Sequence, residues 1–155
     1  MKLKVGSKAP DFELLDQNNK NHKLSNYLGK KVILYFYPKD DTPGCTTEAC
    51  NFRDVYTDYS KLGIIVLGVS MDSVNSHKKF SDKYKLNFPI LSDNEKIVVN
   101  KYDVIGEKKF MGKVYNGILR TTFIIDEKGK IIKIFENVSP KEHNNEILEF
   151  LDTKK

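Results

Sequence analysis

Apolar residues are arranged along the chain in short uninterrupted runs and in amphipathic stretches, which predict alternating strands and helices. The runs at 31–37 and 64–70 are rich in β-branched and aromatic residues and predict buried strands. Each is followed by a predicted helix, the first from 42 to about 62 with Gly63 at its end, the second over 73–86. The pattern therefore predicts two consecutive strand–helix units.

Shorter elements are predicted on both sides of these units. They are an N-terminal hairpin of 11–16 and 21–24 around a polar turn, a short connector at 25–29, a short strand at 89–91, a short helix at 95–102, an irregular segment or weak hairpin at 106–117, and a hairpin of 121–125 and 131–135. A capping-box pattern from Ser139 to Glu142 predicts the start of a last helix, whose apolar stripe is Ile147, Leu148 and Leu151. This order predicts an α/β three-layer sandwich with a mixed central sheet and an N-terminal β-hairpin extension.

Size and charge narrow the class of protein. At 155 residues the chain is long enough for one sizeable core, and we expect a single domain over 1–155. The net charge is +5, but the lysines are scattered and mixed with acidic residues, so we expect no nucleic-acid binding. No run approaches the roughly 20 apolar residues of a membrane span, and the first residues lack the apolar core of a signal peptide. A cytoplasmic location without membrane contact is expected.

Candidate chemistry centres on the two cysteines of the chain. Thr42 is a good N-cap residue and Pro43 suits the first helical position, which makes Cys45 the third residue of the predicted helix. The side-chain oxygen of Thr42 is expected to reach the amide region of Cys45. Free amide groups in the first turn and the helix dipole favour an anion, so the thiolate form of Cys45 should be stabilised. The alternative is a buried, unreactive cysteine.

The second cysteine, Cys50, lies five residues further along the same predicted helix. In an ideal helix this spacing separates the two Cα atoms by about 8.7 Å and turns the side chains about 140° apart. A disulfide needs Cα atoms within about 7 Å, so the two sulfur atoms can bond only if the first turns unwind. The alternative for Cys50 is a core-facing residue without chemistry. A zinc site is not expected, because no Cys or His lies close enough in sequence to complete four ligands.

These residues carry a resemblance to a known family. The pattern Pro38-x-x-x-Thr42-x-x-Cys45, with Cys50 and the distant Arg120, resembles the peroxiredoxins of the bacterioferritin-comigratory-protein (PrxQ) subfamily. The resemblance implies a thioredoxin-like fold and a thiol-dependent peroxidase that acts on hydrogen peroxide and organic hydroperoxides without a cofactor or a metal. It also implies that Cys45 attacks the peroxide, that Cys50 resolves the sulfenic acid as a disulfide, and that thioredoxin or a similar dithiol protein recycles the enzyme.

The same resemblance implies roles for the residues around Cys45. Arg120 is one of only two arginines among 26 basic residues, and in the family an arginine at this place holds the reactive cysteine as thiolate. The threonine matching Thr42 contacts the bound peroxide. Pro38 and Pro43 are expected to shape the pocket. Glu48 is expected to position the arginine, although a solvent-facing carboxylate is the alternative.

Tyrosines and histidines outside the motif are expected to be structural. Tyr35 and Tyr37 are interpreted as strand residues lining the pocket rather than as catalysts. His22, His77 and His143 fit no arrangement with the cysteines and are treated as ordinary residues.

Two alternative functions are weighed against the peroxidase, and the absence of two family features bears on oxidation of Cys45 and on the assembly state. A disulfide oxidoreductase on the same fold normally uses a Cys-x-x-Cys motif, which the five-residue spacing does not match. A non-catalytic binding protein on the same scaffold is the other rival. The chain lacks the Gly-Gly-Leu-Gly insertion and C-terminal Tyr-Phe pair of typical two-cysteine relatives, so we expect resistance of Cys45 to sulfinic acid formation. A monomer or weak dimer is expected for the same reason.

Overall fold

The computed structural model describes residues 3–152, which form nine strands, four α-helices and one 3₁₀ turn. The strands are β1 (Glu13–Leu15), β2 (Asn21–Lys23), β3 (Val32–Phe36), β4 (Ile65–Ser70), β5 (Ile90–Ser92), β6 (Ile105–Phe110), β7 (Lys113–Ile118), β8 (Thr121–Ile125) and β9 (Ile131–Phe135). The helices are α1 (Pro43–Lys61), α2 (Val74–Tyr84), α3 (Ile97–Lys101) and α4 (His143–Asp152), and the 3₁₀ turn is Leu24–Tyr27. None of the helices in this described part is long and apolar enough to cross a membrane.

Seven strands form one mixed sheet in the order β2-β1-β5-β4-β3-β8-β9. The central strand β3 runs parallel to β4 and antiparallel to β8, and the N-terminal hairpin joins the sheet where β1 meets β5. All five residues of β3 and all five of β8 are buried, because both faces of the sheet are covered. The uninterrupted apolar run at 31–37 therefore contains a central strand, as predicted.

The sheet lies between two layers, which confirms the predicted three-layer α/β sandwich. Helices α1, α2 and α4 pack on one face through a buried cluster that includes Cys45, Phe52, Phe80 and Ile147. On the other face, α3 and the N-terminal segment pack through a second buried cluster. Cys45 thus belongs to the cluster on the α1 side of the sheet.

Two predicted elements differ from the structure. The segment expected to be irregular or a weak hairpin is a regular hairpin, β6–β7, which forms a sheet of its own. The prediction that α4 begins at Ser139 is wrong: the amide of Glu142 bonds the Ser139 carbonyl in a turn, and the helix begins at His143. The His143 ring packs edge-on against two phenylalanines, which fixes the chain at that point. Leu148 lies 37% exposed, outside the buried stripe.

Candidate active site

The start of α1 brings the first cysteine to the end of the central strand. Thr42 is the N-cap residue, Pro43 occupies the first helical position and Cys45 is the third residue, as the sequence predicts. Cys45 is buried and Cys50 is half-buried, and both are free thiols. Helix α1 is continuous through both positions, so the two cysteines are held in the arrangement that prevents a disulfide.

The predicted side-chain cap of α1 is absent. The Thr42 hydroxyl donates to the Lys39 carbonyl at 2.9 Å and makes no bond to an amide of the helix. The cause is the preceding loop, in which Asp41 adopts a left-handed conformation that brings the Lys39 carbonyl within reach. The N-terminus of α1 therefore keeps its positive end without a neutralising side chain, which favours a nearby anion.

Arg120 bridges two residues of α1. It lies in the connection between β7 and β8, where its Nη2 is 3.2 Å from Cys45 Sγ and its Nη1 is 3.1 Å from Glu48 Oε1. Glu48 follows Cys45 by three residues, so both side chains point from the same side of the helix. The structure thus brings together Cys45, Glu48 and Arg120, which sequence reasoning grouped. Glu48 is buried, so the solvent-facing alternative is wrong.

Burial changes the titration of this cluster. Removal of Glu48 from water raises the pKa of its carboxyl to about 7, although the charge and hydrogen bond of Arg120 act in the opposite direction. Lys108 on β6 also belongs to this environment: burial lowers its pKa, the Arg120 charge lowers it further and Cys45 raises it. Sequence reasoning missed Lys108, because only the β6–β7 hairpin carries it to the site.

Gly44 is a second residue that sequence reasoning missed. A Cβ atom at this position would lie only 2.6 Å from Nη2 of Arg120 and 3.4 Å from its Cζ. The guanidinium therefore approaches Cys45 across the space that a side chain would fill. The signal was present in the sequence, since glycine between Pro43 and Cys45 lowers helix propensity at a place where the helix must begin.

If Cys45 reacts with peroxide as the resemblance implies, Gly44→Ala should slow that reaction about ten- to a hundredfold, because the methyl group would displace the Arg120 guanidinium from Cys45. The displaced guanidinium would also lose its contact with the buried Glu48, so the midpoint of thermal unfolding should fall although alanine is the better helix former. Stopped-flow kinetics and calorimetry on the same preparation test both parts. Unchanged kinetics would show that Arg120 does not need the space at Gly44.

The loop before α1 is held by Asp40, a buried residue that sequence reasoning also missed. Its Oδ1 accepts a hydrogen bond from the Tyr37 hydroxyl at 2.6 Å, and its Oδ2 accepts one from Ser76 at 2.8 Å. Its amide donates to Asp72 Oδ2 at 2.8 Å. The loop is thereby fixed to β3, to α2 and to the segment that follows β4.

His77 completes this network. Its Nδ1 is 2.6 Å from Asp40 Oδ2 and its Nε2 is 2.9 Å from the Leu91 carbonyl. Two bare acceptors do not approach this closely, so a hydrogen bond joins this buried pair. Atoms of Asp40, Asp72 and His77 lie within 4.8 Å of one another, but their hydrogen bonds already use them, which is the pattern of a structural network rather than of a metal site. His77 is therefore more than the ordinary residue we expected.

The remaining predicted residues lie nearby. Pro38 is half-buried in the loop and Pro43 is exposed at the start of α1. Tyr35 and Tyr37 are buried beneath the helix layer, as expected. Arg53 bonds its neighbour Asp54 and the Tyr84 carbonyl, which is a structural role.

Known proteins resemble the chain over nearly its whole length. The AhpC/TSA family matches residues 5–134. The peroxiredoxin Bcp of Bacillus subtilis is 47% identical over 151 residues, which cover 97% of this chain and 96% of that protein. The chain belongs to the AhpC/TSA family as a Bcp-type peroxiredoxin. It is thus a thiol peroxidase by family, and the predicted fold and enzyme class are confirmed.

Solved structures of peroxiredoxins agree with this assignment. A cysteine-to-serine variant of PrxQ from Xylella fastidiosa superposes with a TM-score of 0.93 at 33% identity, covering 99% of this chain and 98% of that one. The bacterioferritin comigratory protein of Xanthomonas campestris, studied for its alkyl peroxide reduction activity, superposes with a TM-score of 0.89 at 35% identity and covers the same shares. This peroxiredoxin therefore has the thioredoxin-like fold.

Proposed function

We propose that Cys45 is the peroxidatic nucleophile of this peroxiredoxin. Its thiolate attacks one oxygen of the peroxide, forming an S–O bond while the O–O bond breaks. The sulfur is oxidised to a sulfenic acid, and the leaving hydroxide or alkoxide takes a proton to become water or an alcohol. The observation that carries this proposal is the 3.2 Å contact between Arg120 Nη2 and Cys45 Sγ at the N-terminus of α1.

Arg120 acts on both the ground state and the transition state in this proposal. Its guanidinium stabilises the thiolate, and its remaining donors are available to the oxygen that develops charge as the O–O bond breaks. Glu48 holds the other side of the guanidinium and fixes its orientation. Because burial keeps the Glu48 carboxyl partly protonated near neutral pH, it offsets only part of the arginine charge.

Thr42, Pro38 and Pro43 form the wall of the proposed peroxide pocket. The Thr42 hydroxyl reaches the peroxide once it turns from the Lys39 carbonyl, a change of one side-chain torsion. The two prolines restrict the backbone on either side of the loop. Their positions at the end of β3 and the start of α1 support this role.

Cys50 is the proposed resolving residue. Its thiol attacks the sulfenic sulfur of Cys45, the S–S bond forms and the sulfenic oxygen leaves as water. The continuous helix keeps the two sulfur atoms apart, so the first turns of α1 must unwind before this step. A dithiol protein such as thioredoxin then reduces the disulfide by exchange.

The proposal also covers the substrates, the cellular location and the assembly state. The alkyl peroxide reduction activity of the Xanthomonas campestris relative supports organic hydroperoxides as substrates beside hydrogen peroxide. We assign the enzyme to the cytoplasm, as a monomer or weak dimer without a cofactor or metal.

Peroxide consumption in wild type and Cys50→Ser tests this cycle. We expect steady turnover in wild type with thioredoxin and a thioredoxin reductase, and one equivalent of peroxide consumed before arrest in Cys50→Ser. Cys45→Ser is the negative control and should consume no peroxide. Insulin reduction without peroxide consumption would instead indicate a disulfide oxidoreductase. If wild type reacts with peroxide no faster than a free thiol, the peroxidase proposal fails.

A further inference from the structure

Tyr35 of β3 and Tyr37, one residue beyond the end of that strand, lie in the same buried cluster but differ in their hydrogen bonds. Tyr37 donates to Asp40 at 2.6 Å, whereas the buried hydroxyl of Tyr35 has no hydrogen-bond partner among residues 3–152. Burial raises the pKa of Tyr35 well above its usual value, and the charges of Glu48 and Cys45 raise it further. Tyr35 therefore remains a protonated donor without an acceptor at neutral pH.

The hydroxyl of Tyr35 is held in this position by a glycine. Gly68 lies opposite Tyr35 in the pairing of β3 with β4, and a Cβ atom there would be 2.9 Å from Cε1, Cζ and Oη of the tyrosine. The ring thus lies over the bare backbone of β4. A glycine inside a strand and an unpaired buried hydroxyl are both unfavourable, and they occur together.

Residues of α1 form part of the buried surroundings of Tyr35, and the charges of Glu48 and Cys45 act on its hydroxyl. Tyr35 shares its buried cluster with Cys45 and Ala49 and stacks on Phe52 with ring centroids 4.6 Å apart. Unwinding of the helix from Cys45 to Cys50 would move Cys45 and Ala49 out of this cluster. The backbone groups that lose their helical bonds, or the water that enters, then become partners for the Tyr35 hydroxyl.

We propose that Tyr35 promotes the unwinding of α1 that brings Cys50 to Cys45, because its hydroxyl is unpaired only while the helix is wound. It acts as a positioning residue for the resolving step and does not touch the peroxide. This inference rests on the proposed cycle of Cys45 and Cys50. The fully bonded Asp40 network before Thr42 keeps the loop in place while the helix behind it opens.

The test compares Tyr35→Phe with Tyr37→Phe, two variants that each remove one oxygen from the same buried cluster. In Tyr35→Phe we expect amide exchange at residues 45–50 of the reduced enzyme to slow by on the order of fivefold or more. Formation of the Cys45–Cys50 disulfide should slow by a similar factor, and more Cys45 should proceed to sulfinic acid at the same peroxide concentration. Rapid-quench peptide mass spectrometry suits this measurement, since the chain has no tryptophan.

In Tyr37→Phe we expect lower stability and no slowing of the disulfide step, because Asp40 Oδ1 loses a donor while the unpaired Tyr35 hydroxyl is kept. Unchanged or faster exchange in Tyr35→Phe would overturn the inference. Slower exchange with unchanged disulfide formation would also overturn it, since unwinding would not limit resolution. The exchange measurement needs no peroxide, and Cys50→Ser tests the cycle separately, so failure of the inference is distinguishable from failure of the proposed function.

Discussion

Replacement of Arg120 with methionine should slow the reaction of Cys45 with peroxide by about a hundred- to a thousandfold, the effect of removing one charged donor from a reacting oxygen. Methionine keeps much of the side-chain volume but cannot donate to Cys45 Sγ or to Glu48 Oε1. The loss should appear in the second-order rate constant of the single-turnover reaction, measured by stopped flow. Resolution by Cys50 should change much less.

Two further variants separate the shape of Arg120 from its charge. Arg120→Lys keeps the positive charge, but a single ammonium cannot bridge Cys45 and Glu48 as the fork does, so its rate should lie between wild type and Arg120→Met. The matched control is Arg53→Met, since the only other arginine bonds Asp54 and a backbone carbonyl outside the site. An Arg120→Met rate within threefold of wild type would contradict the assigned role.

His77→Ala should lower the free energy of unfolding by about 3–5 kcal/mol, because it removes the imidazole that pairs with the buried Asp40 carboxyl at 2.6 Å. The chain contains a matched control in His22, whose Nε2 lies 2.7 Å from Asp16 Oδ2 at a more exposed position. His22→Ala should cost less than His77→Ala, because the His22 side chain is 14% exposed and water can reach Asp16 after the substitution. Urea unfolding followed by circular dichroism measures both values. Equal losses in the two variants would show that the Asp40–His77 pair contributes no more to stability than the His22–Asp16 pair.

Loss of the Asp40 anchor should also affect the reaction. In His77→Ala the loop that carries Thr42 is less fixed, so peroxide reduction should fall together with stability. A variant that is strongly destabilised but reacts with peroxide at the wild-type rate at low temperature would show that the loop needs no anchor. Unfolding and peroxide kinetics therefore separate two roles of the His77–Asp40 bond, which are stabilising the fold and positioning the loop that carries Thr42.

The parts of the site that sequence reasoning predicted are those built from neighbours along the chain. The helix start at Thr42, Pro43 and Cys45 follows from capping preferences, and the need to unwind between Cys45 and Cys50 follows from helix geometry. The resemblance to a family pattern points to Arg120. Its rarity in a lysine-rich chain was the one independent signal.

The parts that sequence reasoning missed depend on pairs of distant segments. The Asp40–His77 bond joins residues 37 positions apart, and the contact of Tyr35 with Gly68 depends on the register of β3 against β4. No local pattern encodes such a register. The predicted Thr42 cap is absent for a related reason. The left-handed conformation of Asp41 places the Lys39 carbonyl within reach of the Thr42 hydroxyl, which bonds it instead of a helix amide.

The tip of the β6–β7 hairpin has a consequence for any experiment that follows this enzyme by mass. Met111 at that tip is 87% exposed, and exposed thioethers take up one oxygen from peroxides to become sulfoxides. A sulfenic acid at Cys45 adds the same single oxygen atom to the chain. An intact-chain spectrum would therefore count damage at the hairpin as catalysis at α1, whereas a digest that separates residue 111 from residue 45 distinguishes them. The extent of Met111 oxidation therefore reports the peroxide that the active site did not reduce.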